Sequence, residues 1–387
     1  MRFLILGAGM MGRALAFDLA RSEGVDRVTL ADAKSSTAQE AAELFKSPRV
    51  RATTLDVNDL ASVVEVMRDH DCAIGAVSYR MNEALTKAAI DAGIHFCDLG
   101  GNDEVVGRQL AMTDAARHRG VTIIPNCGLA PGLVNVLAVC GVKKFERADI
   151  VRMRVGGVPR FPQPPLNYQI VFSVEGLLNE YSGMSAVLRE GRVVLVGALT
   201  ELEAIDFPPP FGRMEAFHTS GGASLVPRLL EGKVRHLDYK TVRYPGHCEK
   251  MRTLLELGFA GDAPVSLGGR ILTERELFVE LLKRRIPSTG PDVVLMRVTI
   301  EGWVDGKQKV LKYEMIDSRD EKHDISAMMR GTAYPTSVIA QQIAAGVVRS
   351  QGVMAPEQCI DSELLRTQLL QRGMQISEEW QEQGDRR

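Results

Sequence analysis

Residues 3–12 read Phe-Leu-Ile-Leu-Gly-Ala-Gly-Met-Met-Gly, and this stretch decides the fold. Four apolar residues typical of a strand are followed at once by glycines in the spacing GxGxxG, and then by an apolar helical stripe that begins at Ala14. In this order the first glycine makes a tight turn, the second lets a pyrophosphate approach the backbone, and the third lets helix and strand pack closely. The helix N-terminus adds unpaired N–H groups and the positive end of its dipole. The stretch therefore predicts the first strand, turn and helix of a dinucleotide-binding Rossmann unit.

An acid at a fixed distance from the glycines strengthens this interpretation. The next apolar run ends at Asp32, which lies 20 residues after Gly12. A carboxylate at this place accepts from both ribose hydroxyls and repels a 2′-phosphate, so it favours NAD over NADP as the cofactor. The nearby Lys34, Ser35 and Ser36 would weaken that preference.

Short apolar runs then alternate with helical patterns, and strands are predicted at 50–55, 72–78, 95–99 and 121–124. This alternation predicts an α/β fold built on a doubly wound, mostly parallel sheet, which binds ligands beyond the carboxyl ends of its strands. Aspartate and glycine also gather at loop starts for local reasons, so ordinary turns are the alternative. The expected cofactor-binding residues are Gly7, Gly9, Met10, Met11, Gly12, Asp32, Asp56, Val57, Ala76, Val77, Ser78, Leu99 and Gly100.

The pattern changes after residue 130. A loop with two prolines and two glycines, 125–132, leads into a helix, and 156–165 is a Pro/Gly-rich loop or extended segment. Later strands are predicted at 151–155, 193–199, 236–243, 293–300 and 309–316, and a buried helix at 337–349. We therefore expect three parts: a Rossmann domain at 1–130, completed by 331–350; a second α+β domain at 131–330 for substrate binding and oligomerisation; and, in 351–387, a short helix followed by a mobile polar tail.

Composition excludes several classes of protein. Hydrophobic residues make up 45% and charged residues 25% of the 387, which is typical of a folded globular chain. A formal charge of −2 provides no field for binding nucleic acid or an anionic membrane, and the sequence has no apolar stretch long enough for a membrane span. The six cysteines contain no CxxC pair, so we expect a reducing, cytoplasmic location. No histidine or acid motif indicates a metal site.

Six stretches carry a resemblance to a known family. Taken together in this order, they resemble the saccharopine dehydrogenase-like family, and within it the NAD-dependent L-lysine 6-dehydrogenases. The stretches are GAGMMG at 7–12, CDLGG at 97–101, PNCGLAPGLVN at 125–135, EGLLNEY at 175–181, TSGG at 219–222 and RYPGH at 243–247. The resemblance implies oxidation of the ε-amine of L-lysine by NAD to 2-aminoadipate 6-semialdehyde, which cyclises to piperideine-6-carboxylate, with release of ammonia. It also implies a homodimer or a larger homo-oligomer.

Two departures separate the chain from the saccharopine reductases of the same group. The resemblance implies that those enzymes use NADPH and carry an arginine-bearing site after the second strand, where this chain has Asp32. It also implies that they read GLDPG in the later loop, where this chain has Ala130 in place of the acid. Both departures favour the amine dehydrogenase. The alternatives are a saccharopine-type or carboxynorspermidine-type reductase that forms a C–N bond, and a dinucleotide sensor without catalysis.

The chemistry of amine oxidation suggests which side chains to expect. Hydride transfer needs a neutral amine and a proton acceptor, and the α-carboxylate of an amino acid calls for an arginine or lysine. The candidate catalytic residues are His218, on a predicted loop, together with Glu175 and Asp98. The candidate substrate-binding residues are Cys127, Tyr181, Thr219, Arg243 and His247. Ordinary structural roles are the alternatives: a buried structural histidine, a solvated helix residue at Glu175, a helix cap at Asp98 and a salt bridge at Arg243.

Overall fold

The computed structural model describes residues 1–382, which divide into two compact units. Unit 1 contains Met1–Cys140 and Met329–Gln375, and unit 2 contains Gly141–Met328 and the segment from Ile376. Residues 131–140, which the sequence pattern assigned to the second domain, therefore fall in unit 1. The last five residues of the expected tail, 383–387, lie outside the described residues.

Unit 1 alternates strands and helices along most of its length. Its elements are β1 (Arg2–Leu6), α1 (Met10–Arg21), β2 (Arg27–Asp32), α2 (Ser35–Glu43), β3 (Val50–Thr54), α3 (Leu60–Met67), β4 (Cys72–Gly75), α4 (Asn82–Ala92), β5 (His95–Asp98), α5 (Asp103–Leu110), α6 (Thr113–Arg119), β6 (Thr122–Ile124) and α7 (Leu133–Val142). A short 3₁₀ turn, Tyr79–Met81, precedes α4.

Unit 2 follows with longer strands. Its elements are β7 (Arg147–Pro159), α8 (Val174–Glu180), β8 (Met184–Arg189), β9 (Arg192–Gly197), β10 (Glu203–Phe207), β11 (Gly212–His218), α9 (Val226–Leu229), β12 (His236–Arg243), α10 (His247–Glu256), β13 (Pro264–Leu267), β14 (Arg270–Thr273), α11 (Glu274–Arg285), β15 (Asp292–Val304) and β16 (Lys307–Ser318). The chain continues with α12 (Ala327–Ala344) and, in unit 1, β17 (Gly352–Val353), α13 (Pro356–Cys359) and α14 (Ser362–Leu370), and then returns to unit 2 as β18 (Ser377–Glu382).

The sheet of unit 1 confirms the predicted doubly wound α/β fold. Within residues 1–382 it has seven strands in the order β17-β6-β5-β4-β1-β2-β3, and each neighbouring pair is parallel. The side chains of residues 3–6 in β1 are fully buried without alternation. This follows because helices cover both faces of a parallel sheet, so every position of a central strand is inside.

The sheet of unit 2 is mixed, and it confirms the prediction of a second α+β part. Its main path in the described residues runs β10-β11-β12-β7-β15-β16-β18, with β8 and β9 attached at β12. β7 and β12 are parallel, whereas β15 pairs antiparallel with both β7 and β16.

Several strands of unit 2 differ in extent from the sequence-based boundaries. β7 continues through 156–159, so the extended segment holds there and the loop does not. Gly156 lies against the neighbouring strand: a Cβ there would be 2.1 Å from the Val242 carbonyl oxygen. The glycine thus serves a close approach and does not end the strand. β15 and β16 are longer than predicted, and only Asp305 and Gly306 form the turn between them. The sequence analysis did not predict strands β8, β10 and β11.

Two expectations near the C-terminus also need correction. Helix α12 begins at Ala327, ten residues before the expected start, and contains Pro335. Proline removes one backbone donor, and the Thr336 hydroxyl donates to the Thr332 carbonyl in the same turn. The described part of the polar tail is also ordered, because β18 pairs with β16 and its Glu379 lies 2.9 Å from Lys312 Nζ.

Candidate active site

The glycine turn of unit 1 has the geometry that a pyrophosphate requires. Gly7 has φ +107°, and a Cβ there would lie 2.6 Å from the Ala76 carbonyl oxygen. A Cβ on Gly12 would lie 1.8 Å from the Gly7 carbonyl oxygen, so this glycine is needed for the turn to pack on α1. At Gly9, in contrast, a Cβ would meet nothing within 4 Å of the described chain. The open space lies at the N-cap of α1, where Met10 and Met11 begin the helix, and this is where an anion binds to free N–H groups.

Asp32 is fixed beside this turn. Its Oδ2 accepts a hydrogen bond from Ala8 N at 3.0 Å, and its Oδ1 accepts from Lys34 N at 3.0 Å. The carboxylate therefore lies at the carboxyl end of β2 next to the glycine turn, and it fits the hydroxyls of a ribose whose pyrophosphate occupies that turn.

The other expected cofactor residues lie at the same edge of the sheet. Ala76 and Val77 follow β4 and touch the Gly7 position, where a Cβ would be 3.0 Å from Val77 Cγ1. Asp56 follows β3, is exposed, and accepts from Asn58 N at 2.9 Å. The remaining residues, Val57, Ser78, Leu99 and Gly100, follow the ends of β3, β4 and β5. Their contacts with a cofactor remain predictions.

Asp98 does not have the environment of a catalytic acid that touches substrate. Its side chain is fully buried at the end of β5. Its Oδ1 accepts from Gly100 N at 2.7 Å and from Asn126 N at 3.2 Å, and its Oδ2 accepts from Gln109 Nε2 at 2.7 Å. Burial raises the pKa of Asp98 to about 6, while these hydrogen bonds oppose the rise. Because protein donors occupy both oxygens, the structure favours a structural role for Asp98 over the predicted catalytic role.

Cys127 is also buried, in the loop after β6, with its Sγ 3.2 Å from the Ile124 carbonyl oxygen. Nothing in its contacts singles it out for binding substrate.

In unit 2, a chain of hydrogen bonds joins three of the predicted substrate-binding residues. Arg243 Nε donates to Tyr181 OH at 2.9 Å, and Tyr181 OH lies 2.9 Å from His247 Nε2. His247 Nδ1 lies 2.9 Å from the Leu166 carbonyl oxygen, which only accepts, so the proton sits on Nδ1 and Nε2 is the acceptor. The direction of the chain is therefore fixed: the guanidinium donates to the phenol, and the phenol donates to the imidazole.

The electrostatics of this cluster agree with that assignment. Burial, together with the smaller effect of the Arg243 charge, lowers the pKa of His247 to about 3, so the ring is neutral near pH 7. Burial raises the pKa of Tyr181 well above its ordinary value. Arg243 is 3% exposed, and its guanidinium carbon lies 5.1 Å from the centroid of the Tyr168 ring. The cluster thus holds one buried cation among aromatic rings.

Glu180 is a member of the cluster that the sequence analysis missed. Its Oε2 lies 4.0 Å from Arg243 Nη2, and about a third of its side chain is exposed. Burial raises the pKa of Glu180 to about 7, although Arg243 opposes the rise. The stretch EGLLNEY contains two glutamates. The sequence pattern that could have indicated Glu180 is its place directly before Tyr181, at the end of α8.

The other three predicted catalytic and binding residues of unit 2 lie elsewhere in this unit. The side chain of Glu175 is 55% exposed and accepts from Arg275 Nε at 2.9 Å, so the structure does not bring it to Arg243. His218 ends β11 and is not on a loop; its ring nitrogens lie 3.1 Å from the Tyr239 carbonyl oxygen and 3.1 Å from Glu201 Oε2. The Thr219 hydroxyl bonds to that of Thr241 at 2.8 Å.

Within residues 1–382, the helices are too short or too polar to span a membrane. The same residues contain no group of three or more histidine, cysteine or acidic side chains placed to hold a metal ion.

Unit 1 therefore has the open glycine turn, the helix start without a side-chain cap and the acid after β2 that are typical of a dinucleotide-binding fold, and unit 2 has a buried cluster of ionisable groups. These features are the ones expected of a dehydrogenase. Comparison with known proteins agrees: the family described as the saccharopine dehydrogenase NADP binding domain matches residues 3–124, and the saccharopine dehydrogenase C-terminal domain matches residues 128–374. The chain belongs to the saccharopine dehydrogenase family.

Individual relatives are distant. Saccharopine dehydrogenase [NADP(+), L-glutamate-forming] from Pyricularia oryzae is 24% identical over 357 residues, which cover 89% of this chain and 70% of that protein. Mitochondrial alpha-aminoadipic semialdehyde synthase from Rattus norvegicus is 22% identical over 426 residues, and the match covers 92% of this chain but 45% of that protein. Apo saccharopine dehydrogenase (L-Glu forming) from Saccharomyces cerevisiae has a similar structure, with a TM-score of 0.81 over 98% of this chain and 99% of that chain at 17% identity.

Proposed function

We propose that this protein oxidises the ε-amine of L-lysine with NAD, giving 2-aminoadipate 6-semialdehyde and ammonia. The observation that carries the proposal is the pair formed by Glu180 and Arg243, a partly exposed carboxyl whose Oε2 lies 4.0 Å from Nη2 of a buried guanidinium. The choice of lysine rests on the resemblance to lysine 6-dehydrogenases stated from the sequence.

Asp32 supports NAD as the cofactor. Its carboxylate is oriented by Ala8 N and Lys34 N and would accept from the adenosine ribose hydroxyls. A 2′-phosphate at that place would meet a negative charge, which costs affinity for NADP. NAD supplies a hydride acceptor when bound.

The residues of unit 2 would handle the substrate's charges and protons. Arg243 would bind the α-carboxylate, because a guanidinium is a fork of fixed donors that is always charged. Glu180 would take the proton from the ε-ammonium, since a carboxyl with a pKa of about 7 is half ionised at neutral pH. Tyr181 and His247 would hold Arg243 in place through the directed hydrogen bonds described above.

The ε-carbon would lose a hydride to NAD and the ε-ammonium would lose a proton to Glu180, which together leave a protonated imine. Water would then add to the imine carbon, and the nitrogen would leave as ammonium, giving the semialdehyde. One lysine therefore yields one NADH, one ammonium ion and one proton, which Glu180 passes to solvent.

A second candidate is the NADPH-dependent condensation of a semialdehyde with glutamate. The relative from Pyricularia oryzae, which is described as NADP-dependent and L-glutamate-forming, favours it. The two candidates differ in cofactor and in the need for a second amine substrate.

The experiment is an assay of NADH formation by the purified protein with L-lysine and NAD at mildly alkaline pH. NADP, ornithine and other amino acids run in parallel. We expect NADH and ammonia in equal amounts from lysine. The proposal is wrong if no NADH forms while saccharopine with NADP, or semialdehyde with glutamate and NADPH, is turned over.

A further inference from the structure

A buried acid in unit 1 joins two loops at the ligand-binding edge of the sheet. Asp98 ends β5, and its Oδ1 accepts from Gly100 N in the loop after β5 and from Asn126 N in the loop after β6. Its main-chain carbonyl also accepts from Cys127 N at 2.8 Å. One residue thus fixes the spacing of two neighbouring loops.

Both loops have backbone conformations that the sheet does not stabilise. Gly100 has φ +76° and Asn126 has φ +61°, so both lie in the left-handed region. A Cβ at Gly100 would lie 2.0 Å from Asn126 Oδ1, which shows how closely the loops pack. Both residues lie beyond the paired ends of β5 and β6, and the carboxylate of Asp98 provides the acceptor for their backbone N–H groups.

A second layer orients the carboxylate. Gln109 Nε2 donates to Asp98 Oδ2 at 2.7 Å and also to Thr86 Oγ1 at 2.9 Å. Within residues 1–382, Gln109 Oε1 is buried without a hydrogen-bond partner. Rotation of this amide by half a turn would therefore place Oε1 next to the side chain at position 98, where it can accept a hydrogen bond. Oε1 has no hydrogen bond to lose by this rotation.

The position in the sheet indicates which half of a dinucleotide these loops meet. A doubly wound sheet binds one mononucleotide on each side of its switch point, and Asp32 at the end of β2 marks the adenosine side. β5 and β6 lie on the other side, after β4. The loops after β5 and β6 therefore belong to the nicotinamide half.

We propose that Asp98 is a positioning residue that holds the loops after β5 and β6 in the shape that binds the nicotinamide half of the cofactor. It acts through Gly100 N and Asn126 N and does not touch the ligand. The proposal rests on dinucleotide binding, and it does not require that lysine be the substrate.

The test compares two ligands in the same variants, NADH and ADP-ribose, by equilibrium binding. ADP-ribose has the adenosine half and the pyrophosphate but no nicotinamide. We expect Asp98→Ala to weaken NADH binding about tenfold, because two loop amides lose their acceptor, and to change ADP-ribose binding less than about twofold.

A conservative variant provides the rescue. Asp98→Asn keeps an oxygen for both loop amides, and a rotated Gln109 would present Oε1 to the new amide group. We expect this variant to restore NADH binding to within about threefold of the native protein. Asp114→Ala, which removes an exposed acid from α6 of the same unit, is the matched control.

If Asp98→Ala does not fold, Gln109→Met replaces it in the same comparison. We then expect NADH binding to weaken about threefold and ADP-ribose binding to be unaffected. If the native protein binds NADPH in place of NADH, the same comparison uses NADPH and 2′-phospho-ADP-ribose. Equal weakening of both ligands would show general damage to unit 1 and overturn the proposal. Unchanged NADH binding, or failure of Asp98→Asn to restore it, would also overturn it.

Discussion

Two acids at the ligand-binding edge of unit 1 and two buried arginines of unit 2 are held in different ways. In unit 1 the carboxylates of Asp32 and Asp98 accept mainly from backbone amides, so they shape loops. In unit 2, Arg154 and Arg243 bond to side chains presented by strands and a helix. On the proposed function, we expect unit 1 to bind the cofactor largely through main chain at this edge, and unit 2 to recognise the charges of the substrate through these side chains.

The largest effect is expected at Arg243. A lysine in its place keeps the charge but loses the Nε that donates to Tyr181 and the fork that binds a carboxylate. We expect Arg243→Lys to lower kcat/KM for L-lysine about 1000-fold, with the Kd for NADH unchanged. The exposed Arg213 on β11 is the control, as Arg213→Lys should behave like the native protein. A comparable loss of NADH affinity would contradict the assignment of Arg243 to substrate binding and not to cofactor binding.

The next effect concerns the stability of unit 2. Arg154 is 3% exposed and donates through Nη1 and Nη2 to the two oxygens of Asp238, at 2.8 and 3.2 Å. Arg154→Leu leaves that acid buried without its main partner, and we expect unit 2 to lose about 3 kcal/mol in urea unfolding at neutral pH.

The stability that Arg154→Leu loses should depend on pH. Burial acts to raise the pKa of Asp238, but Arg154 outweighs it and the net pKa is lowered. An acid with a lowered pKa stabilises the fold above its unfolded value, and this contribution disappears as the pH falls through the folded value. The difference between Arg154→Leu and the native protein should therefore shrink as the pH falls and Asp238 takes up its proton, first in the variant, where burial is no longer offset by Arg154, and then in the native protein. A difference that stays constant from pH 7 to pH 3 would rule out the ion pair as its cause.

A smaller effect is expected at the backbone-bound acid of unit 1. Asp32→Ala removes the carboxylate that would accept from the adenosine ribose and repel a 2′-phosphate. We expect the ratio of kcat/KM for NADP to that for NAD to rise about 50-fold. Asp32→Asn, which keeps one acceptor oxygen, should give an intermediate ratio. A native protein that already prefers NADP would contradict the role given to Asp32.

The smallest effects come from a matched pair of glutamates on or near α8. Glu180→Gln should lower kcat about tenfold and remove the acid limb of the pH profile, because in the native protein activity falls as Glu180 takes up its proton below about pH 7. Glu175→Gln breaks an exposed ion pair with Arg275 and should change kcat less than about twofold. Steady-state kinetics from pH 6 to pH 9 provide the comparison, and a larger effect at Glu175 would exclude this choice of acid.

Much of unit 1 could be predicted from the sequence, because its signals are local. The glycine spacing, the apolar run before it and the acid at Asp32 all belong to one βαβ segment, and the strand patterns follow the same alternation. The structure confirms the parallel sheet. The role of Asp98 could not be predicted, since its partners at Gln109 and Asn126 come from other segments.

Unit 2 was less predictable, because its sheet pairs distant strands and its polar contacts are nonlocal. Arg243, Tyr181 and His247 were chosen from separate motifs, and the structure brings them together. Glu175 was preferred to Glu180 because sequence alone does not show which face of α8 turns toward Arg243. β11 was missed because the apolar run before His218 is short and lies between glycines.

The most direct test of the central claim follows the hydrogen that is transferred. L-lysine deuterated at its ε-carbon would be incubated with the purified protein and NAD, and the reduced cofactor analysed by mass spectrometry. Oxidation of the ε-amine predicts one deuterium in each molecule of NADH formed. Unlabelled NADH would place the oxidation at another carbon, and the absence of any reduced cofactor would contradict lysine oxidation altogether.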